Sequence, residues 1–156
     1  MNLTVKKKRI FIVLISIAVA FIWIHSAMPQ KMSQDESNFV YTILAPVLKL
    51  FLPDKMVTGH LVRKMAHFIE YAVLGGVLMA YAGMTDRTKP RQLINLLFIG
   101  LAVAFLDETI QIFSGRGSQI KDIWIDLAGY CTGAAAVRLV SFMVLTGRRK
   151  CVNIKC

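Results

Sequence analysis

Arg63, His67 and Glu70 follow one another at steps of four and three residues, so a helix would set all three on one face, with Lys64 beside them. Further along, Asp107 and Glu108 stand together, with Gln111 four and three residues beyond them, and Asp122 and Asp126 are again four apart. Arg116 falls between these two groups. A histidine among several carboxylates is the raw material of general acid–base catalysis or of metal-assisted hydrolysis or group transfer. On that chemistry, His67, Glu70, Asp107, Glu108 and Asp126 are the candidate catalytic groups. Arg63, Lys64, Gln111, Arg116 and Asp122 are the candidate substrate-binding groups, the arginines being suited to phosphate. The cofactor cannot be named from the sequence. A divalent metal would use His67, Glu70 and Glu108, since a His and an acid three apart on a helix can serve as ligands in a bundle.

The segments that carry these residues are strongly apolar. The chain has 156 residues, of which 56% are hydrophobic, and a mean hydropathy of +0.57. A soluble domain has an apolar share of roughly 45–50%, so the bilayer is the expected solvent. Four stretches are long enough to cross a hydrocarbon core, which takes ~20 helical residues: about 10–27, 61–82, 93–113 and 123–145. The expected class is all-α, a polytopic membrane protein with four transmembrane helices. The first stretch follows Lys6-Lys7-Lys8-Arg9 and has the bulky His25 where a cleavable leader needs a small residue, which predicts an uncleaved anchor.

Basic residues mark the ends of these stretches. With the N-terminus inside, Lys6, Lys7, Lys8, Arg9, Arg87, Lys89, Arg91, Arg148, Arg149, Lys150 and Lys155 are cytoplasmic, against Lys31, Lys49, Lys55, Arg63, Lys64, Arg116 and Lys121 outside. The positive-inside rule therefore predicts cytoplasmic N- and C-termini. The net charge of +10 sits in clusters at span ends, which argues for contact with anionic lipid rather than nucleic acid. Cys131, Cys151 and Cys156 form no disulfide framework.

The segment from Pro29 to His60 is expected outside. Ser33 with Glu36 three residues on reads as a capping pair, and Phe39, Val40, Ile43, Leu44, Val47, Leu50 and Phe51 recur mostly at helical spacing, with Pro46 expected to kink or end the helix. Two placements fit: an amphipathic interfacial helix on the outer face of the membrane, or a loop packed on the bundle.

Depth brings the polar groups together. Arg63 to Glu70 covers about 10 Å of helix axis and Leu93 to Glu108 about 22 Å, so all the acids lie toward the outer side. Gly129 and Gly133 continue the face of Asp122 and Asp126, and two such glycines let a neighbouring helix approach closely. The acids outnumber the permanent cations Arg63, Lys64 and Arg116. The surplus calls for a cationic ligand, a metal ion or protonated carboxyls.

The stretches "RKMAHFIEYAVLGG" and "DETIQIFSGRGSQIKDIWIDLAGYCTG" resemble the VanZ-like family of small bacterial membrane proteins, as does the "HSAMP" junction after the first span. The resemblance covers about 26–138, within a single membrane domain of residues 1–156 flanked by a cytoplasmic N-terminus at 1–9 and a tail at 147–156. It implies a four-helix protein of the bacterial cytoplasmic membrane, and its namesake is associated with low-level resistance to the glycopeptide antibiotic teicoplanin. Where Asp126 stands the family commonly has asparagine, an uncharged amide in place of a carboxylate.

Three functions follow as expectations. The first is an outward-facing intramembrane site that acts on an outer-leaflet lipid or lipid-linked cell-envelope precursor. The second is a non-enzymatic pocket for a headgroup, a glycopeptide or a partner protein, with the 29–60 segment as lid or docking surface. A transporter is the third, and four spans would enclose a pathway only in an oligomer. Oligomeric state is not legible in the sequence.

Overall fold

Leu3–Ser26, the first helix (α1), carries the first apolar run without interruption. The computed structural model describes residues 3–85, 89–115 and 119–154, with side chains described for 5–85, 89–115, 119–144 and 146. Arg87, Lys155 and Cys156 lie outside the described residues. Four more helices follow: α2 (Gln30–Leu48), α3 (Gly59–Met84), α4 (Pro90–Phe113) and α5 (Ile120–Ile154), with a single 3-10 turn at Asp54–Met56. The described residues contain helices and no strands.

Stretches long and apolar enough to span a membrane occupy Val5–Ser26, Gly59–Met84, Pro90–Phe113 and Ile120–Val144. The protein is therefore a multi-pass membrane protein built of four spans. Local chemistry sets their limits. Thr58 caps α3 by accepting the Leu61 N–H at 3.2 Å, and Pro90 opens α4 where its missing N–H costs nothing. Gly115, at φ 73, turns the chain after α4 in a left-handed conformation that suits glycine.

In α2 the helix begins at Gln30, behind Pro29, and not at a Ser33 cap. The extended Pro29 backbone starts the helix, and the Ser33 N–H already donates to the Pro29 carbonyl at 3.1 Å. Ser33 is buried, and Glu36 turns toward His25 of α1. Pro46 falls in the last turn, and α2 stops at Leu48. Phe39, Ile43 and Val47 are exposed along one face of α2, while Ala45 is buried.

The bundle is apolar outside and polar within, as a bilayer solvent demands. Ile17, Phe21 and Ile24 on α1, Phe98 and Phe105 on α4, and Leu139 and Phe142 on α5 are all exposed. His67, Asp107, Glu108, Gln111 and Asp126 are buried, together with an apolar core of Ile22, Tyr71, Leu74, Leu78, Val103, Ala104 and Tyr130.

Helices α3 and α5 start at the same end of the bundle and run side by side, in contact through backbone. A Cβ added to Gly129 would collide with the Phe68 carbonyl, one at Gly133 with the Ala72 carbonyl, and one at Gly75 with the Tyr130 carbonyl. Such close approach replaces side-chain interdigitation by dense backbone packing, the usual source of helix affinity in lipid. Tyr130 extends the contact to α4: its ring lies over Gly100 and its hydroxyl donates to the Leu96 carbonyl at 2.7 Å.

Gly133→Ala should therefore destabilise the folded protein by about 3 kcal/mol or more, because the obstacle is backbone and cannot rotate away. Gly83→Ala, with nothing within 4 Å of its added Cβ, should change stability by less than about 1 kcal/mol. Unfolding in mixed micelles measures both, and equal effects would rule out the seam described.

Candidate functional site

At one end of the bundle α1 and α4 finish while α3 and α5 begin, and the polar residues meet there. Helix α3 supplies Arg63, Lys64, His67 and Glu70, α4 supplies Asp107, Glu108 and Gln111, and α5 supplies Asp122 and Asp126. The glycine seam holds α5 tightly enough against α3 that Asp126 is 1% exposed.

Glu70 finds its partner on α1. Its Oε1 lies 3.0 Å from Nδ1 of His25, whose Nε2 is 3.3 Å from Oε2 of Glu36 on α2. One imidazole can donate to both carboxylates only when both ring nitrogens carry protons. The His25 ring stacks on that of His67, with centroids 5.9 Å apart. His67 Nδ1 in turn stands 3.9 Å from Glu70 Oε2 and 3.8 Å from Asp107 Oδ2, within electrostatic reach though beyond hydrogen-bond length. An unbroken set of acids and imidazoles thus runs from Glu36 to Asp107.

A second group lies beyond Asp107. The Gln111 amide donates to Asp107 Oδ2 at 3.1 Å and to Glu108 Oε1 at 3.3 Å, and the backbone N–H of Gln119 donates to Glu108 Oε2 at 3.2 Å. Asp107, Glu108 and Asp126 each place a carboxylate oxygen within 4.8 Å of the others'. The metal-ligand set expected from sequence, His67 with Glu70 and Glu108, is thus not the closest grouping: Glu70 turns toward α1, and the described acids that cluster are Asp107, Glu108 and Asp126.

Nearer the helix ends, Lys64 Nζ pairs with Asp122 Oδ1 at 2.8 Å, and Arg63 donates to Nδ1 of His60 at 3.2 Å. These groups surround a cavity of ≈ 190 Å³, lined at the helix ends by Gln30, His60, Arg63, Lys64, Gln119 and Asp122, and deeper by His67, Glu108, Gln111 and Asp126. Arg116 lies outside the described residues. Sequence spacing thus brings together every other candidate, though Glu70 and Asp107 stand behind the cavity wall.

His25, Glu36 and His60 were not among the sequence candidates. An ionisable residue inside an apolar span is itself a sign of a polar partner, and His25 met that criterion. Glu36 and His60 carry no such signal, since both sit in polar surroundings.

A family model described as VanZ/LLP1 matches residues 11–141. The chain belongs to the VanZ/LLP1 family. The match reaches into all four spans and takes in every residue of the polar set, and it extends beyond the 26–138 resemblance to include His25. No curated protein and no solved structure matches the chain. Asp126 gives this VanZ/LLP1 chain a third carboxylate beside Asp107 and Glu108.

His25→Ala should destabilise the protein by about 1–3 kcal/mol, because the half-buried Glu70 would lose its partner on α1. In a double-mutant cycle with Glu70→Gln, the two losses should overlap by about 1 kcal/mol or more. Additive losses in micelle unfolding would show that the pair does not act as a unit.

Proposed function

We propose that this VanZ/LLP1 protein binds, and acts on, the anionic headgroup of an outer-leaflet lipid or lipid-linked cell-envelope precursor. The observation that carries this reading is the cavity, with His60, Arg63 and Lys64 at the helix ends and Glu108, Asp126 and His67 deeper. Cations at the mouth suit a phosphate, and acids with an imidazole below it suit proton transfer at the bound ester. The excess of basic residues on the opposite side supports an outward mouth and cytoplasmic termini, in the bacterial cytoplasmic membrane.

The surface beside the cavity favours a ligand with a tail. A groove lined by Leu61, Met65, Phe68 and Ile69 of α3 shares Lys64 and Ile125 with the cavity. A lipid whose headgroup fills the cavity would lay an acyl or prenyl chain along this groove, with Ile125 at the junction. Helix α2, with Phe39, Ile43 and Val47 exposed on one face, would rest at the membrane surface beside the mouth. A glycopeptide-resistance role of the teicoplanin type would follow if the site alters or masks an envelope precursor.

In nanodiscs, Arg63→Ala and Lys64→Ala should each weaken binding of a phosphate-bearing lipid about tenfold, the loss of one charge-assisted contact. Glu108→Gln should leave binding intact and remove turnover. Binding without turnover by the wild type would support the non-enzymatic reading, and no binding at all would end both.

Ile125→Trp should block the passage from cavity to groove, weakening the tailed lipid about tenfold while sparing the soluble headgroup phosphate. Equal loss for both ligands would contradict the groove's role.

A further inference from the structure

We infer that Asp107, Glu108 and Asp126 form a binding site for one hard divalent cation at the base of the cavity. This goes beyond the headgroup reading and does not depend on it, because the site is complete without lipid.

All three residues are buried, and each offers a carboxylate oxygen within 4.8 Å of the other two. Oxygen-only donors select magnesium, manganese or calcium over the softer metals that prefer nitrogen and sulfur. Donors on opposite sides of magnesium stand about 4.2 Å apart and around calcium about 4.6–5.2 Å. Oxygens within 4.8 Å of one another fall inside the largest separation that two ligands of one calcium ion can have, and the smaller ions would draw them closer.

A separate observation points to a ligand. Asp126 Oδ2 is buried and accepts no hydrogen bond, in a residue only 1% exposed, and Asp107 beside it is wholly buried. A carboxylate oxygen held away from water with no donor is costly, and a cation is the partner that satisfies several such oxygens at once. The nearest described bases do not fill this place. Lys64 is engaged by Asp122 at 2.8 Å, and His67 Nδ1 faces Asp107 Oδ2 at 3.8 Å. Glu108 and Asp126 also line the cavity, which gives an ion a way in from the bundle end. Gln111 sits against the cluster with its amide nitrogen on Asp107 and Glu108. Turning that amide by half a rotation would present its oxygen as a further ligand.

The test uses the full chain purified in an uncharged maltoside detergent, with Mn²⁺ alone as the probe, followed by electron paramagnetic resonance. The expected result is saturable binding of one Mn²⁺ per chain, displaced by Ca²⁺ or Mg²⁺. Asp126→Asn and Glu108→Gln should each weaken it at least tenfold, and Asp54→Asn, at an exposed acid that lines neither the cavity nor the cluster, should leave it unchanged. Absence of saturable binding to monodisperse wild-type protein, or binding that survives both cluster substitutions, overturns the proposal. Should both variants fail to fold, the infrared difference spectrum of the wild type on Ca²⁺ addition decides: a shift of carboxylate stretching bands supports the site, and no shift overturns it. Because no lipid is present, failure here leaves lipid binding through Arg63 and Lys64 to be judged by its own measurement.

Discussion

His25 and Glu70, 3.0 Å apart, join the first membrane helix to the second, and the rest of the polar interior is arranged around their contact. A carboxylate within an apolar span has no water to turn to, so it must be matched by protein groups at its own depth. Glu70 is matched by α1, and the same histidine reaches Glu36 on α2. His67 stacks against it and turns its Nδ1 toward Asp107 on α4. Three spans and the intervening helix are thereby tied at one end of the bundle by groups that could not face lipid.

The fourth span is held by a different force. Gly129 and Gly133 bring α5 onto the carbonyls of α3, and Gly75 returns the contact. That seam has no charge in it, yet it determines where the charges go: Asp126 is one turn above Gly129 and so is pressed into the interior beside Asp107 and Glu108. Asp122, one turn nearer the end, stays half-buried and pairs with Lys64. Steric packing in one half of the bundle thus sets up the electrostatics of the other. The resulting cavity has cationic groups at its mouth and carboxylates at its base, a polarity that suits a phosphate held above an acid–base or metal centre.

Much of this was legible in the sequence because membrane helices obey strong constraints. Four apolar stretches define the spans, and helical steps place Arg63, His67 and Glu70 together and Asp122 in line with Asp126 and the two glycines. Depth along each helix then predicts that three sets of polar residues share one end. What periodicity does not supply is the rotation of one helix against another. For that reason spacing groups Glu70 with His67 and Glu108, whereas it turns toward α1, and the closer acid cluster of Asp107, Glu108 and Asp126 appears only in three dimensions. His25 reads as a poor cleavage-site residue, although its position inside an apolar span is itself the sign of a polar partner. Ser33 and Glu36 match a capping pair and so place the start of α2 four residues too late, whereas Pro29 initiates the helix and leaves both side chains for tertiary contacts.

Polar groups from separate spans enclose a cavity, and we propose that it opens to the outer side of the membrane. Cysteine accessibility in intact cells tests it most directly, with Cys131, Cys151 and Cys156 replaced by serine and single cysteines placed at Gln30, Gln119 or, on the lipid-facing side, Phe105. A membrane-impermeant thiol reagent should modify the cysteines at 30 and 119 without permeabilisation and leave the one at 105 untouched. Modification at 30 and 119 only after the cells are opened would contradict the orientation, and no modification at either position would contradict the open cavity itself.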